Sequence, residues 1–128
     1  MSIKENKALI NRTYEKINQG DLNAFFELCA PEYIEHLTDR DMSLKQSIEF
    51  EASFFAQFPD INITINDMVA EGDKVAMLVT WRAANKDSGK KVEMTNANIF
   101  KIAKGRIVEA WNVTDIRLAQ QLGAVPKQ

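Results

Sequence analysis

The stretch INITINDMVAEGDKVAMLVTW, residues 61–81, decides the fold of this chain. Isoleucines at positions 61, 63 and 65 alternate with polar residues, and the alternation resumes from Val75 to Trp81 after Glu71-Gly72-Asp73. A period of two places successive side chains on opposite faces of a sheet. The stretch therefore predicts two antiparallel strands that are joined by a tight turn at Gly72.

Three helices are predicted before this stretch and further strands after it. Apolar residues recur at helical spacing from Leu9 to Ile17, a second helix begins at Asp21, and Ser43 can cap a third. The broad apolar face that we expect for the third helix comprises Leu44, Ile48, Ala52, Phe55 and Phe58, with Phe54 adjacent. Further strands are predicted from Val92 to Ile102 and after Lys104-Gly105. Helices followed by a meander indicate an α+β domain, in which one curved antiparallel sheet wraps around three N-terminal helices.

Composition limits the class of protein. The 128 residues suffice for a single domain, predicted over residues 1–128, and the formal net charge is −2. Basic residues are scattered, so no surface for binding nucleic acid is expected. No apolar run approaches the length that spans a membrane, and the N-terminal residues do not resemble a signal peptide. Cys29 is the only cysteine and is expected to be buried, which favours a reducing, cytoplasmic setting.

The last predicted strand carries the clearest candidate for chemistry. Alternation along it would place Ile107, Glu109, Trp111, Val113 and Asp115 on one face. A carboxylate beside apolar and aromatic surface is disfavoured as an anion, so its pKa should rise toward values useful for proton transfer. Asp115 could equally cap the turn that follows it, and the spacing alone favours this structural role.

Several motifs resemble one known family, and they follow one another in its order. They are Glu35-His36, Phe58-Pro59-Asp60, residues 69–75 (VAEGDKV), Glu109-x-Trp111-x-x-x-Asp115 and Gln121-Leu122-Gly123. This order resembles the SnoaL-like polyketide cyclase (ester cyclase) family of the nuclear-transport-factor-2-like (NTF2-like) superfamily. The resemblance implies a cone-shaped half-barrel with a ligand pocket on its concave side, and a homodimer.

The resemblance also implies roles for two residues. In these cyclases an Asp at the position of Asp115 moves a proton during intramolecular aldol closure, without metal or cofactor. His36 falls where the family often carries a histidine at the edge of the pocket, although a single histidine is more often a packed or surface residue. Glu35 should point away from His36 on an extended segment, and we expect it to be solvated. One histidine alone does not make a metal site.

Amides and aromatic rings could complete a pocket. Asn96 and Asn98 interrupt an apolar row on one strand, so they either hold a ligand inside the cone or lie on the outer face of the sheet. Trp81, Trp111 and Tyr14 are candidate walls for a flat, apolar ligand, although most such rings merely fill the core. Trp111 is the strongest of the three candidates because it would share a face with Asp115.

Two departures from the family pattern leave the chemistry open. The stretch after Trp81 reads Arg82-Ala83-Ala84-Asn85-Lys86, and the strand with Asn96 and Asn98 lacks a histidine. The sequence therefore supports two hypotheses. The first is a cofactor-independent acid/base enzyme for a small, largely apolar carbonyl compound; the second is a non-catalytic protein that binds such a compound. A module that binds proteins through the outer face of the sheet is a third possibility.

Overall fold

The structure, a computed structural model, describes residues 2–114. Its three helices are α1 (Ile3–Asn18), α2 (Ala24–Leu28) and α3 (Leu44–Gln57). Its six strands are β1 (Cys29–His36), β2 (Asp41–Ser43), β3 (Asn62–Glu71), β4 (Lys74–Ala84), β5 (Lys91–Ala103) and β6 (Arg106–Val113). The predicted α+β architecture is confirmed: all three helices precede the meander β3–β6, and the six strands form one curved, unclosed sheet. Within residues 2–114, no helix is long and apolar enough to span a membrane.

The strands form one sheet in the order β2-β1-β6-β5-β4-β3. The pairs β3–β4, β4–β5 and β5–β6 are antiparallel, as the meander predicts. The pair β1–β6 is parallel, because β1 precedes the meander and joins its far edge after a long excursion of the chain. This pairing places Glu35 opposite Ala110 and His36 opposite Trp111.

The N-terminal helices are capped and fixed by side chains. Ser43 caps α3 as predicted: its hydroxyl accepts from the Gln46 backbone N–H, and the Gln46 side chain accepts from the Ser43 N–H. The Asn18 amide at the end of α1 bonds both backbone groups of Ile63, at 2.8 and 2.7 Å. This pair of hydrogen bonds holds the end of α1 against β3 at one side of the core.

The core lies between the helices and the concave face of the sheet. Its largest fully buried side chains are Tyr33, Phe58, Phe100, Ile10 and Ile107. The apolar face predicted for α3 is correct in part: Phe54 and Phe58 are buried, and Leu44 and Phe55 pack against the core. Ala52 is exposed and Ile48 is 39% exposed, whereas Ser47 is buried. Phe54 packs on Phe58, with ring centroids 5.0 Å apart. This packing turns the side of α3 that bears Ser47 and Phe54 toward the core, and the side that bears Ile48 and Ala52 toward solvent.

The face predicted for the last strand is also wrong. Ile107 is fully buried, yet Glu109 and Trp111 lie on the outer face, while Ala110 between them is buried. A bulge causes this change, since Lys101 pairs with Glu109 but the next residue of β5 pairs with Ile107. One extra residue in a strand reverses the alternation of its faces.

Candidate functional site

A cavity opens between the three helices and the concave face of the sheet. It contains about 490 Å³ of empty space, its solvent-open part included, of which the centre of a water molecule can reach about 50 Å³. The enclosed part therefore holds only a few water molecules. A ligand the size of a fused-ring compound needs the larger volume, so it would extend from the enclosed part into the part that is open to solvent.

The cavity wall is mainly apolar and aromatic. Its apolar lining comprises Ile17, Leu22, Phe25, Phe26, Phe55, Trp81, Phe100 and Ala110. Its polar lining comprises Tyr14, Tyr33, Glu35, Glu51, Asn98 and Asn112. Among the described residues no lysine, arginine or histidine lines it. Two carboxyl groups therefore share an apolar space, and the part of its lining that the structure describes contains no cationic side chain.

Glu35 projects inward from β1, so the expectation that it is solvated is wrong. It is 6% exposed, and the Tyr33 hydroxyl donates to its Oε1 at 2.9 Å. Tyr33 and Glu35 stand two residues apart and share the inner face of the strand. Burial raises the pKa of Glu35, and the polar side chains of Tyr33, Asn112 and Ser47 offset part of that rise by stabilising the anion.

Glu51 reaches the same cavity from α3. The residue keeps a small exposed fraction, but protein atoms surround its carboxyl. Within residues 2–114 no side chain or backbone group forms a hydrogen bond to that carboxyl. Burial, followed by the negative charge of Glu35, raises the pKa of Glu51 to about 8. Glu51 is therefore mostly protonated at neutral pH.

The phenols and the thiol near this pair stay neutral. Burial is the main cause that raises the pKa values of Tyr14, Tyr33 and Cys29, and Glu35 contributes to each of these shifts. Cys29 is buried, as predicted, and its thiol lies 3.4 Å from the carbonyl oxygen of Phe25. None of the three groups supplies a charge that would balance a carboxylate.

Asn98, Trp81 and Tyr14 line the cavity, so three of the predicted ligand-binding residues lie together. Trp81 packs edge-on against Phe54 at 5.7 Å and parallel to Phe55 at 6.5 Å. Asn96 faces the same side of β5 and is buried, but it does not line the cavity. The amides thus face inward, and the alternative that they lie on the outer face of the sheet is wrong.

His36 and Trp111 lie on the opposite face of the sheet. His36 Nε2 is 2.6 Å from Glu109 and its Nδ1 is 2.8 Å from Asp41, while its ring stacks on Trp111 with centroids 5.3 Å apart. Neither residue lines the cavity, so the predicted placement of both at the pocket is wrong. The cause is strand alternation: Glu35 takes the inner position of β1, and Ala110 and Asn112 take those of β6. Asp115, the predicted catalytic carboxyl, lies outside the described residues.

In the described part of the chain, no group of three or more His, Cys, Asp and Glu side chains is placed so that it could hold a metal ion. The chemistry that the described cavity itself offers is proton transfer and hydrogen bonding. Glu35 and Glu51, which have different surroundings, face a space with room for few water molecules. The amides of Asn98 and Asn112 can hold a polar substituent of a ligand.

Solved structures with the same architecture include AclR, a proposed hydroxylase from Streptomyces galilaeus, with a TM-score of 0.87 and 25% identity. That similarity covers 98% of this chain and 100% of AclR. IdmH, a proposed polyketide cyclase from Streptomyces antibioticus, has a TM-score of 0.77 and 28% identity over 94% of this chain and 99% of its own. No curated protein is significantly similar to the chain in sequence.

The family model for SnoaL-like polyketide cyclases matches residues 8–122, which is most of the chain. The motifs that carry the resemblance lie in this range except for Gly123, which directly follows it, and the fold is the NTF2-like fold that the resemblance implies. The chain belongs to the SnoaL-like polyketide cyclase family.

Proposed function

We propose that this protein is a cofactor-independent enzyme that moves protons on a small, largely apolar carbonyl compound. The observation that carries this proposal is the carboxyl of Glu35, which is buried in an aromatic cavity and lacks a cationic partner among residues 2–114. Such a carboxyl can take and return a proton near neutral pH. Aldol cyclisation, which the family resemblance implies, and isomerisation both begin with removal of a proton next to a carbonyl.

The carbonyl compound would lie between the aromatic walls, with Trp81 and Tyr14 along its flat faces and Asn98 at a polar substituent. Asn96, buried on the same face of β5, would support Asn98. Asp115 remains a second candidate acid/base group, as the family resemblance implies. His36, on the opposite face of the sheet, is not part of this proposal. The absence of metal and cofactor, like the cytoplasmic setting, stays a prediction.

Proton exchange provides a direct test. α-Tetralone is a flat ketone with exchangeable hydrogens next to its carbonyl, and their replacement by deuterium in D₂O can be followed by proton NMR. We expect the protein to accelerate this exchange over buffer, and Glu35→Gln to lower the acceleration by about 100-fold or more. Glu32→Gln, on the exposed side of the same strand, is the matched control and should leave the rate unchanged.

Asp115→Asn separates the two carboxyl candidates. If Asp115 is the principal base, this substitution abolishes exchange and Glu35→Gln does not. If Asp115→Asn keeps the full rate, the role that the family resemblance implies for it is wrong. Equal rates in the wild type, Glu35→Gln and Asp115→Asn would contradict both assignments.

A non-catalytic ligand-binding protein is the second candidate function. It is favoured by the lack of an imidazole in the described cavity lining, since the resembled cyclases are thought to use one to polarise their substrate. In that case α-tetralone would raise the melting temperature equally in the wild type and in Asp115→Ala. No exchange would be detected with either protein.

We also propose that the protein forms a homodimer through the outer face of the sheet. Leu78, Ile99 and Val113 come from adjacent strands β4, β5 and β6, and each is more than 40% exposed. Contiguous apolar surface of this kind is typical of an interface. Light scattering over a wide concentration range should show a dimer, and a strict monomer would overturn this proposal.

A further inference from the structure

The two cavity carboxyls differ in their surroundings. Glu35, on β1, accepts a 2.9 Å hydrogen bond from the Tyr33 hydroxyl, and its anion is further stabilised by the side chains of Asn112 and Ser47. Glu51, on α3, has no hydrogen bond from residues 2–114, although protein atoms surround its carboxyl. Both line the same cavity, and the part of its lining that the structure describes contains no cationic side chain.

We propose that Glu35 and Glu51 form an acid/base pair that holds one proton, with Glu35 as the carboxylate base and Glu51 as the neutral acid. The substrate of this pair is an uncharged ketone that has a hydrogen on the carbon next to its carbonyl. This inference rests on the proposed function and assigns the two roles within it.

Electrostatics explains why the pair holds a single proton. Two carboxylates that face one apolar space repel each other, and neither is balanced by a cation in the described lining. Protonation of one group removes most of this penalty. The titratable groups that face the pair from α1 and β1 are Tyr14, Cys29 and Tyr33, and each stays neutral because burial raises its pKa.

Hydrogen bonding decides which carboxyl keeps the proton. A hydroxyl that donates to a carboxylate stabilises the charged form, and Tyr33 does this for Glu35. Glu51 has no comparable donor among the described residues, so ionisation costs more at Glu51 than at Glu35. The pKa of Glu51, raised to about 8, agrees with a group that is protonated at neutral pH.

The reaction begins with one balanced step. The Glu35 carboxylate takes the proton from the carbon next to the carbonyl, and the electron pair of that C–H bond forms the C=C bond of an enol. The carbonyl oxygen receives the proton of Glu51, so that Glu35 becomes neutral and Glu51 becomes anionic. The enol hydroxyl then returns its proton to the Glu51 carboxylate as the C=O bond re-forms. The electron pair of the C=C bond either takes a proton from neutral Glu35 or forms a bond to a second carbonyl carbon of the same molecule, whose oxygen receives the proton of Glu35.

The substrate should be uncharged for the same electrostatic reason. A carboxylate or phosphate would add a further negative charge to a cavity that already contains one carboxylate. A ketone instead offers an acceptor oxygen to neutral Glu51 and to the amide of Asn98. The aromatic lining favours a flat, apolar frame around that carbonyl.

A titration without any ligand tests the shared proton. The side-chain carboxyl carbons of glutamate can be followed by carbon NMR in the wild type, Glu35→Gln and Glu51→Gln. We expect one signal, absent from Glu51→Gln, to titrate near pH 8, and its pKa to fall in Glu35→Gln because the neighbouring charge is gone. The proposal is overturned if both carboxyls titrate at ordinary values, or if Glu35 holds the proton at neutral pH.

The exchange of α-tetralone in D₂O tests the two roles. We expect Glu51→Ala to lower the rate by about 100-fold, and Glu51→Gln to recover part of it because an amide still donates to the carbonyl oxygen. The wild-type rate should fall as the pH rises above about 8, because Glu51 then loses its proton. This fall should disappear in Glu51→Gln. Glu49→Gln, on the exposed side of α3, is the matched control. Thermal unfolding at neutral pH verifies that each variant is folded.

The two experiments separate failure of this inference from failure of the proposed function. Wild-type exchange that Glu51→Ala does not slow would overturn the pair and leave an enzyme with a different acid. The expected titration without any wild-type exchange would overturn the proposed function and the catalytic roles, while the shared proton would stand.

Discussion

Glu35 and His36 are neighbours on β1, and they show two opposite ways of holding a titratable group. Glu35 faces the cavity, where burial raises its pKa and only neutral groups stabilise its charge. His36 faces outward between Glu109 and Asp41, and hydrogen bonds to these two acids, Glu109 first, raise its pKa. Burial disfavours the charged form of the inner group, whereas the neighbouring acids favour the charged form of the outer group.

This difference separates a reactive face of the sheet from a structural one. An inner carboxyl with a raised pKa stays poised to exchange protons because no counter-charge from residues 2–114 neutralises it. The outer imidazole is paired with acids from β2 and β6, so it ties three adjacent strands together. A raised pKa caused by burial therefore indicates a reactive group on the inner face. A raised pKa caused by hydrogen bonds to acids indicates a structural group on the outer face.

The largest effect on stability is expected from the pH dependence of Glu51. Its folded pKa of about 8 lies above the ordinary 4.5, so the contribution of Glu51 to stability is greatest below pH 4.5 and is lost as the pH rises to about 8. The loss is at most about 1.4 kcal/mol per pH unit in this interval. Urea unfolding should show this slope in the wild type and in Glu49→Gln, and a flatter curve in Glu51→Gln. Equal slopes in all three proteins would contradict the burial of the Glu51 carboxyl.

A smaller effect should follow from removal of the inner hydrogen bond. Tyr33→Phe leaves the Glu35 carboxylate without its 2.9 Å donor, which we expect to cost about 1–3 kcal/mol of unfolding free energy near neutral pH. The pKa of Glu35 should rise further in this variant. Urea unfolding measures the first effect, and carbon NMR measures the second.

Tyr14→Phe is the matched control for Tyr33→Phe. Tyr14 lines the same cavity, but its hydroxyl forms no hydrogen bond to any residue from 2 to 114. Its removal should therefore cost clearly less. If the two variants lose the same stability, then the Tyr33 hydroxyl does not stabilise the Glu35 carboxylate.

The order of elements could be predicted from the sequence because each element has a clear period or cap. Alternation from Ile61 to Trp81 identifies β3 and β4, and the capping box at Ser43 is visible as a motif. The parallel pairing of β1 with β6 was not predicted, since it joins segments that lie far apart in the chain and no local pattern encodes it.

The inner carboxyls were missed for two physical reasons. The segment from Tyr33 to Leu37 has apolar residues at both parities, so alternation does not show whether Glu35 or His36 faces inward. In α3, the stripe through Leu44 and Ile48 is more apolar than the one through Ser47 and Glu51, yet Phe54 and Phe58 turn the second stripe inward. The available signal was that Glu51 lies three residues from Phe54 and seven from Phe58, on one helical face.

The amides and the last strand show the same limit. Asn98 lies at the cavity because β5 keeps an unbroken alternation, which places it on one face with its apolar neighbours. The sequence left open whether that face is the inner or the outer one. Trp111 does not lie at the cavity, because the bulge between β5 and β6 reverses the faces of the last strand after Ile107. A bulge depends on how two strands meet, and the strand sequence alone does not reveal it.

The smallest effect is expected on the outer face, from His36→Gln. The raised pKa of His36 means that its ion pairs stabilise the fold fully below about pH 6.5, and that this contribution is lost as the pH rises through the folded pKa. Because the pair is partly exposed, the loss should stay below about 1 kcal/mol and shrink at high salt. Melting temperatures of the wild type and His36→Gln at acidic and alkaline pH measure it, with Glu93→Gln as an outer-face control. The exchange rate of α-tetralone should not change in His36→Gln, because the ring and the cavity lie on opposite sides of the sheet; a tenfold slower rate would mean that the outer cluster acts on the inner carboxyls through β1.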